Sequence, residues 1–339
     1  MRVAVVGAGS WGTTVAALAT QNASSVVLWA RRPELAQAID AGHENPDYLP
    51  GRILPATLRA TSDLAEALAG AEAVVLAVPS HGLRGVLARA HHSVPAGVPV
   101  VSLAKGLEAG SLKRMTEVVT EVLDRHPPER VGVLTGPNLA VEVVAGMPTA
   151  SVVAMVDDEA AECLQRLFMT SAFRVYTNPD VVGCEIAGVL KNVVAIAAGV
   201  AQGLGVGDNA RAALITRGLA ELTRLGLALG GNPLSFLGLA GIGDLVVTCT
   251  SEKSRNRHVG VELGRGRSLP EILGEMHMVA EGVRSTASVL ALAERSGVEM
   301  PIAAQVQAVL AGERRPSEAL AALMGRVAKS ELEGIHIVP

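Results

Sequence analysis

The feature that most constrains this chain is Gly7-Ala8-Gly9-Ser10-Trp11-Gly12, placed directly after the apolar run Val3–Val6 and before an Ala-rich helical run, Thr13–Gln21. With 36 glycines in 339 residues, a bare G-x-G-x-x-G match would occur easily by chance. Its position between a strand and a helix at the start of the chain gives it meaning. The first glycine permits a tight turn, the second lets a pyrophosphate approach the backbone, and the third lets the helix pack closely on the sheet. The helix N-terminus then directs free N–H groups and partial positive charge at the phosphates. Gly7, Gly9, Ser10, Trp11 and Gly12 are therefore expected to cradle a dinucleotide.

The following pattern agrees with that start. Strands are expected at Val3–Val6, Val26–Trp29, Ala73–Val78, Val98–Leu103, Val131–Thr135, Thr149–Ala154 and Arg174–Thr177, with helices such as Asp63–Leu68, Gly82–Ala90 and Leu112–Asp124 between them. Strand–helix alternation implies an α/β fold with a parallel sheet covered on both faces. From about Val181 the runs become long and helical (Val182–Gln202, Ala210–Leu229, Thr286–Ser296, Ile302–Leu310, Ser317–Val327). Asn178-Pro179 marks the change, so the reading is a Rossmann-type domain over 1–180 and an all-α domain over 181–339.

Composition narrows the partners. The 29 Lys+Arg against 33 Asp+Glu leave a net charge of −4, which gives no general attraction to nucleic acid or anionic lipid. Three Phe, two Trp and two Tyr are too few for a base-stacking surface. The most apolar stretch, Ile186 to Val206, contains Lys191, Asn192 and Gln202, so no membrane span is expected. The short Val3–Val6 run does not read as a signal peptide, and a cytoplasmic protein is expected. Cys163, Cys184 and Cys249 are widely spaced without a CxxC, and no metal site is visible.

Three stretches carry chemistry. The second strand should end in an acid for a ribose hydroxyl; instead Arg31-Arg32 stands there, a pair suited to a 2′-phosphate. NADP(H) is the favoured cofactor, with Glu34 keeping NAD(H) open, and Tyr48 could lie along the adenine or simply pack. Lys191 lies in an almost uniformly apolar helix, where an ammonium needs partners and becomes a candidate acid/base for a hydroxyl–carbonyl pair. A snorkelling lysine is the plainer alternative. A third polar cluster, Asp244 followed by Ser254-Arg255-Asn256, offers the hydroxyl, guanidinium and amide donors that grip a phosphate ester.

Taken together, Gly7–Gly12, Ser102–Gly106, Gly136–Val143, Leu190–Val193, Gly203–Arg211, Gly238–Thr250, Ser254–Arg257 and Val279–Gly282 resemble the bacterial NAD(P)-dependent glycerol-3-phosphate dehydrogenases over nearly the whole chain. The resemblance implies a C-terminal domain of the 6-phosphogluconate dehydrogenase type. It implies reversible hydride transfer between NAD(P)H and dihydroxyacetone phosphate, giving glycerol 3-phosphate for phospholipid synthesis, and a homodimer. It further implies Lys191 as general acid/base, and Lys105, Gly136, Asn138, Lys191, Asn192, Asp244, Ser254, Arg255 and Asn256 around the substrate. Around the cofactor it implies Ser10, Trp11, Arg31, Arg32, Lys105, Ala140, Arg255, Val279 and Glu281. Asn138 departs from the family's usual Ser or Thr, followed by Leu139 in place of Phe. The alternatives are a 6-phosphogluconate or 3-hydroxyacid-type dehydrogenase and a non-catalytic NADP(H)-binding regulator.

Overall fold

In a computed structural model, residues 1–276, 280–328, 330 and 331 are described. The chain forms two compact units: Met1–Lys105 with Lys113–Val181, and Gly106–Leu112 with Val182–Pro339.

The first unit is built on strands β1 (Arg2–Val6), β2 (Ser25–Trp29), β3 (Glu44–Asn45), β4 (Leu49–Ile53), β5 (Leu58–Thr61), β6 (Ala73–Leu76), β7 (Val100–Ser102), β8 (Val131–Thr135), β9 (Thr149–Ala154) and β10 (Phe173–Asn178). Its helices are α1 (Ser10–Ala19), α2 (Pro33–Gly42), α3 (Leu64–Leu68), α4 (Ser80–Ala90), α5 (Met115–Val122), α6 (Ala140–Val143) and α7 (Asp158–Phe168). Eight strands form one sheet in the order β10-β9-β8-β7-β6-β1-β2-β5. Alternation along β1 explains the layering: Val3 and Val5 enter one apolar layer with Val15 and Phe168, while Ala4 and Val6 enter the other with Leu83 and Met115. Burying each such aliphatic side chain contributes about 1.5–3 kcal/mol.

Every strand expected from sequence forms, and three more appear. β5 lies at the sheet edge with a Leu-Arg-Ala-Thr sequence, so it lacks the apolar run that signals a central strand. β3 and β4 form a separate antiparallel hairpin. The sheet is parallel except at β8–β9. The connection there carries only the four-residue α6, too short to return the chain along the sheet for a parallel crossover. The strand order reverses beside β1, so the glycine loop at its C-terminal end sits at the topological switch point.

The second unit contains α8 (Val181–Gly203), α9 (Asp208–Ala228), α10 (Pro233–Phe236), α11 (Asp244–Thr250), α12 (Arg255–Gly264), α13 (Leu269–Glu275), α14 (Glu281–Arg295), α15 (Pro301–Leu310) and α16 (Pro316–Met324). α8 is long and apolar enough to cross a bilayer, yet 89% of its most apolar window is buried inside the protein. Its apolarity serves a core of Leu190, Val193, Leu222, Leu225, Phe236, Val259 and Leu292. Glycines let α12 cross α8 at backbone distance. A Cβ on Gly199 would stand 2.1 Å from the Arg257 carbonyl oxygen, and one on Gly260 would stand 2.1 Å from that of Ile196. That close crossing brings Asn256, on α12, to the polar stretch of α8.

Candidate active site

In the first unit the site is mostly backbone. Gly7 has φ +119°, and a Cβ there would lie 2.7 Å from the Ala77 carbonyl oxygen. A Cβ on Gly12 would lie 2.1 Å from the Gly7 oxygen, so α1 can close onto β1 and β6 only with glycine here. At Gly9 the situation is opposite: a Cβ would meet nothing, and Gly9 supplies no side chain to cap α1. Open space thus faces the N–H groups of the first helical turn, which have no intrahelical acceptors. The Trp11 ring packs against Phe173 at 6.3 Å, while its buried Nε1 donates to nothing. An open cradle, uncapped N–H groups and an orphaned indole donor fit the pyrophosphate-bearing cofactor that the glycine spacing implies.

Asn45 holds this loop in shape, and the sequence reading did not single it out. Fully buried, its Nδ2 donates to the Ala8 carbonyl (3.0 Å) and to Thr13 Oγ1 (2.8 Å), while its Oδ1 accepts from the Tyr48 N–H (3.1 Å). The local sequence signal is the Asn45-Pro46 pair, a turn-forming dipeptide. Tyr48 itself packs, half-buried, against the β1–β2 layer. Arg31 and Arg32 follow β2 as expected; Arg31 is exposed, and Arg32 forms an ion pair with Asp47.

At the C-terminal ends of β7 and β8, Lys105 Nζ donates to the Gly136 carbonyl (3.1 Å), and the Asn138 N–H donates to the same oxygen (2.8 Å). Gly136 takes φ +135°, a conformation that disfavours other residues. The Asn138 Nδ2 donates to Ser151 Oγ (3.0 Å), which donates to the Thr135 carbonyl (2.8 Å), and Asn138 Oδ1 is buried without a donor. Asn138 therefore presents an acceptor where a serine would present a hydroxyl. Thr14 Oγ1 reaches both the Ser10 carbonyl (2.8 Å) and the Ala140 carbonyl (3.5 Å), tying α1 to α6.

In the second unit the site consists of side chains. Lys191 and Asp244, 7% and 1% exposed, form a buried ion pair through Nζ and Oδ1. Lys191 Nζ also donates to Thr248 Oγ1 (2.7 Å), and that hydroxyl donates to the Asp244 carbonyl oxygen (2.6 Å). The snorkelling alternative is excluded, because this ammonium ends among partners inside the protein. Asp244 follows a kinked turn at Leu239–Gly243, where Gly241 leaves helical geometry (φ −88°, ψ −105°); a Cβ on Gly241 would lie 2.0 Å from the Phe236 oxygen, so the turn closes tightly just before α11. Thr248 follows one turn along α11, four residues on, which puts it on the same face. The neighbouring Cys249 thiol is pushed up to about 12 by burial, so it stays protonated and unreactive.

The other predicted residues of this unit divide. Asn256 Nδ2 donates to Asn192 Oδ1 (2.9 Å), and its Oδ1 accepts the Gly282 N–H (2.9 Å), so this pair fastens α8, α12 and α14 together. Ser254 caps α12 by accepting the Arg257 N–H (3.3 Å). Arg255 opens α12, where the surrounding protein lowers its pKa and the charge of Glu281 opposes that shift. Val279 lies outside the described residues.

This geometry can be set beside known proteins. Family models described as the NAD-dependent glycerol-3-phosphate dehydrogenase N-terminus and C-terminus match residues 2–161 and 180–321. The chain belongs to the NAD-dependent glycerol-3-phosphate dehydrogenase family. Among relatives of this family, the glycerol-3-phosphate dehydrogenase [NAD(P)+] 2 of Sphingopyxis alaskensis is 55% identical over 324 residues, covering 96% of each chain. The glycerol-3-phosphate dehydrogenase [NAD(P)+] of Thermobifida fusca is 51% identical over 335 residues, covering 98% of this chain and 99% of that one. The crystal structure of glycerol-3-phosphate dehydrogenase from Coxiella burnetii is similar with a TM-score of 0.91 at 38% identity, covering 96% and 99% of the two chains. The family and the fold class expected from the motifs are thus both found.

Proposed function

We propose that this chain is an NAD(P)+-dependent sn-glycerol-3-phosphate dehydrogenase that interconverts dihydroxyacetone phosphate and glycerol 3-phosphate, supplying glycerol 3-phosphate for phospholipid synthesis. The observation that carries the reading is the buried Lys191–Asp244–Thr248 cluster within a chain of this family. When bound, the nicotinamide supplies the hydride to the substrate's carbonyl carbon, or accepts it in reverse. As the carbonyl carbon is reduced, negative charge grows on its oxygen, and the Lys191 ammonium donates a proton there to give the hydroxyl. In oxidation the neutral amine takes that proton back. Asp244 offsets the ammonium's charge in a setting where an unpaired charge would be costly, and Thr248 fixes the direction of Nζ.

On this reading Gly7, Gly9, Ser10, Trp11 and Gly12 hold the pyrophosphate, and Arg31 and Arg32 hold the adenosine end, favouring NADP(H). Lys105, Gly136, Asn138, Ser254 and Arg255 recognise the substrate, with Asn192 and Asn256 placing α12 for that task. Ala140 and Glu281 border the cofactor, and the domains are 1–180 and 181–339, except that Gly106–Leu112 groups with the second unit. The enzyme acts in the cytoplasm as a homodimer, a reading supported by the exposed Leu234 and Leu237 of the helical unit. Initial rates with dihydroxyacetone phosphate and either NADPH or NADH test the proposal. Turnover with a higher kcat/KM for NADPH is expected. No turnover with either would sink the reaction, and a strong NADH preference would sink only the role given to Arg31 and Arg32.

A further inference from the structure

The second strand lacks the acid that commonly binds the adenosine ribose, and the fold supplies one from another element. Asp47 lies two residues beyond Asn45, which is fixed by the Ala8 carbonyl and Thr13 of the glycine loop. The same Asn45 Oδ1 accepts the Tyr48 N–H on the far side, so Asp47 is held in a closed turn between two anchored residues. From there its carboxylate pairs with Arg32, which stands at the N-cap position of α2 just after β2. Both side chains remain half-exposed, at 50% for Arg32 and 42% for Asp47, so neither is consumed by the core. Arg31 beside them makes no hydrogen bond or ion pair in the described residues and stays available to an anion.

We propose that Asp47 is a specificity-determining residue that lets this enzyme accept NADH as well as NADPH. The inference rests on the dinucleotide-binding reading above. A carboxylate accepts hydrogen bonds from ribose hydroxyls and repels a 2′-phosphate, whereas a guanidinium does the reverse. With Arg32 and Asp47 paired, the site presents both. A 2′-phosphate must draw Arg32 away from Asp47 and lie near its negative charge. An unphosphorylated ribose leaves the pair intact and gains an acceptor. Glu34, exposed in the first turn of α2, is the acid that short sequence spacing suggests, but it makes no ion pair with Arg32.

The test is equilibrium binding of NADPH and NADH to the wild-type protein and to Asp47→Asn, Asp47→Ala and Arg32→Ala, by calorimetric titration. Removing the charge of Asp47 should tighten NADPH and weaken NADH, raising the NADH-to-NADPH ratio of dissociation constants roughly fivefold, the scale of a partly exposed ion pair. Arg32→Ala should move the ratio the other way. If both Asp47 variants weaken the two dinucleotides equally, Asp47 merely supports the turn and the proposal is overturned. An unchanged ratio overturns it as well. If the wild-type protein binds neither dinucleotide, the underlying reading of the fold's function fails instead.

Discussion

The two units present their candidate functional groups in different materials. The sheet unit uses backbone: a left-handed glycine, an uncapped helix start and a carbonyl that collects two donors. The helical unit uses buried side chains drawn from positions more than 50 residues apart, Lys191 with Asp244 and Thr248 and Asn192 with Asn256. A backbone cradle binds whatever carries phosphate and needs no tuning of charge. A buried ammonium holds a proton in reach of one atom and needs its surroundings arranged. On the proposed reading the contrast assigns the dinucleotide's pyrophosphate to one unit and proton chemistry to the other, and each assignment can be attacked separately.

Substituting Lys191 by Met should lower kcat roughly a thousandfold, within the range for loss of a general acid, in steady-state reduction of dihydroxyacetone phosphate. Next in size, Gly12→Ala should weaken dinucleotide binding roughly 10- to 100-fold, because a Cβ 2.1 Å from the Gly7 oxygen forces α1 off the sheet at a cost of about 1–3 kcal/mol. If titration shows unchanged affinity, the close packing does not shape the cradle.

Glu221 sharpens the contrast within the helical unit. It is buried and accepts the N–H groups of Ile302 (2.7 Å) and Ala303 (3.3 Å) at the start of α15, with the charges of Arg224 and Arg326 acting on it. Burial raises its pKa from 4.5 to about 7. The folded state therefore binds its proton more tightly than the unfolded chain does. Its contribution is fully present below about pH 4.5 and is lost as pH rises through 7, by on the order of 3 kcal/mol. Urea denaturation at pH 5.5 and pH 8 should show that loss in the wild type and a much flatter dependence in Glu221→Gln. An identical slope in both would remove Glu221 as its cause. The smallest effect expected is at Thr248: Val should lower kcat roughly tenfold through loss of one oriented hydrogen bond, and Ser should restore most of it. Equal losses in both variants would point to packing in place of the hydroxyl.

What could be read in the sequence follows the same division. The glycine loop was legible because its function depends on residues adjacent in the chain, and Lys191 was legible because a charge in an apolar helix is out of place. Asp244 stood out as polar, but its pairing with Lys191 depends on the kinked turn at Leu239–Gly243 and on packing between α8 and α11 that no local pattern reports. Thr248 lies within the matching run Gly238–Thr250, but nothing in the spacing marks it as a partner of Lys191. Asn45 and Asp47 were missed because their partners, Ala8, Thr13 and Arg32, reach them only through the β3–β4 hairpin, whose two short strands carry no apolar periodicity. Strand β5 escaped for a related reason, being half-exposed at the sheet edge.

The separation of binding from proton transfer is tested most directly by the dinucleotide dissociation constant of Lys191→Met, measured below that variant's own melting temperature. If Lys191 carries the proton, as proposed, NADPH should bind within about threefold of the wild-type affinity, a difference under 1 kcal/mol, although turnover is nearly lost. A loss of affinity as large as the loss of turnover would contradict the account, because Lys191 would then be holding the cofactor.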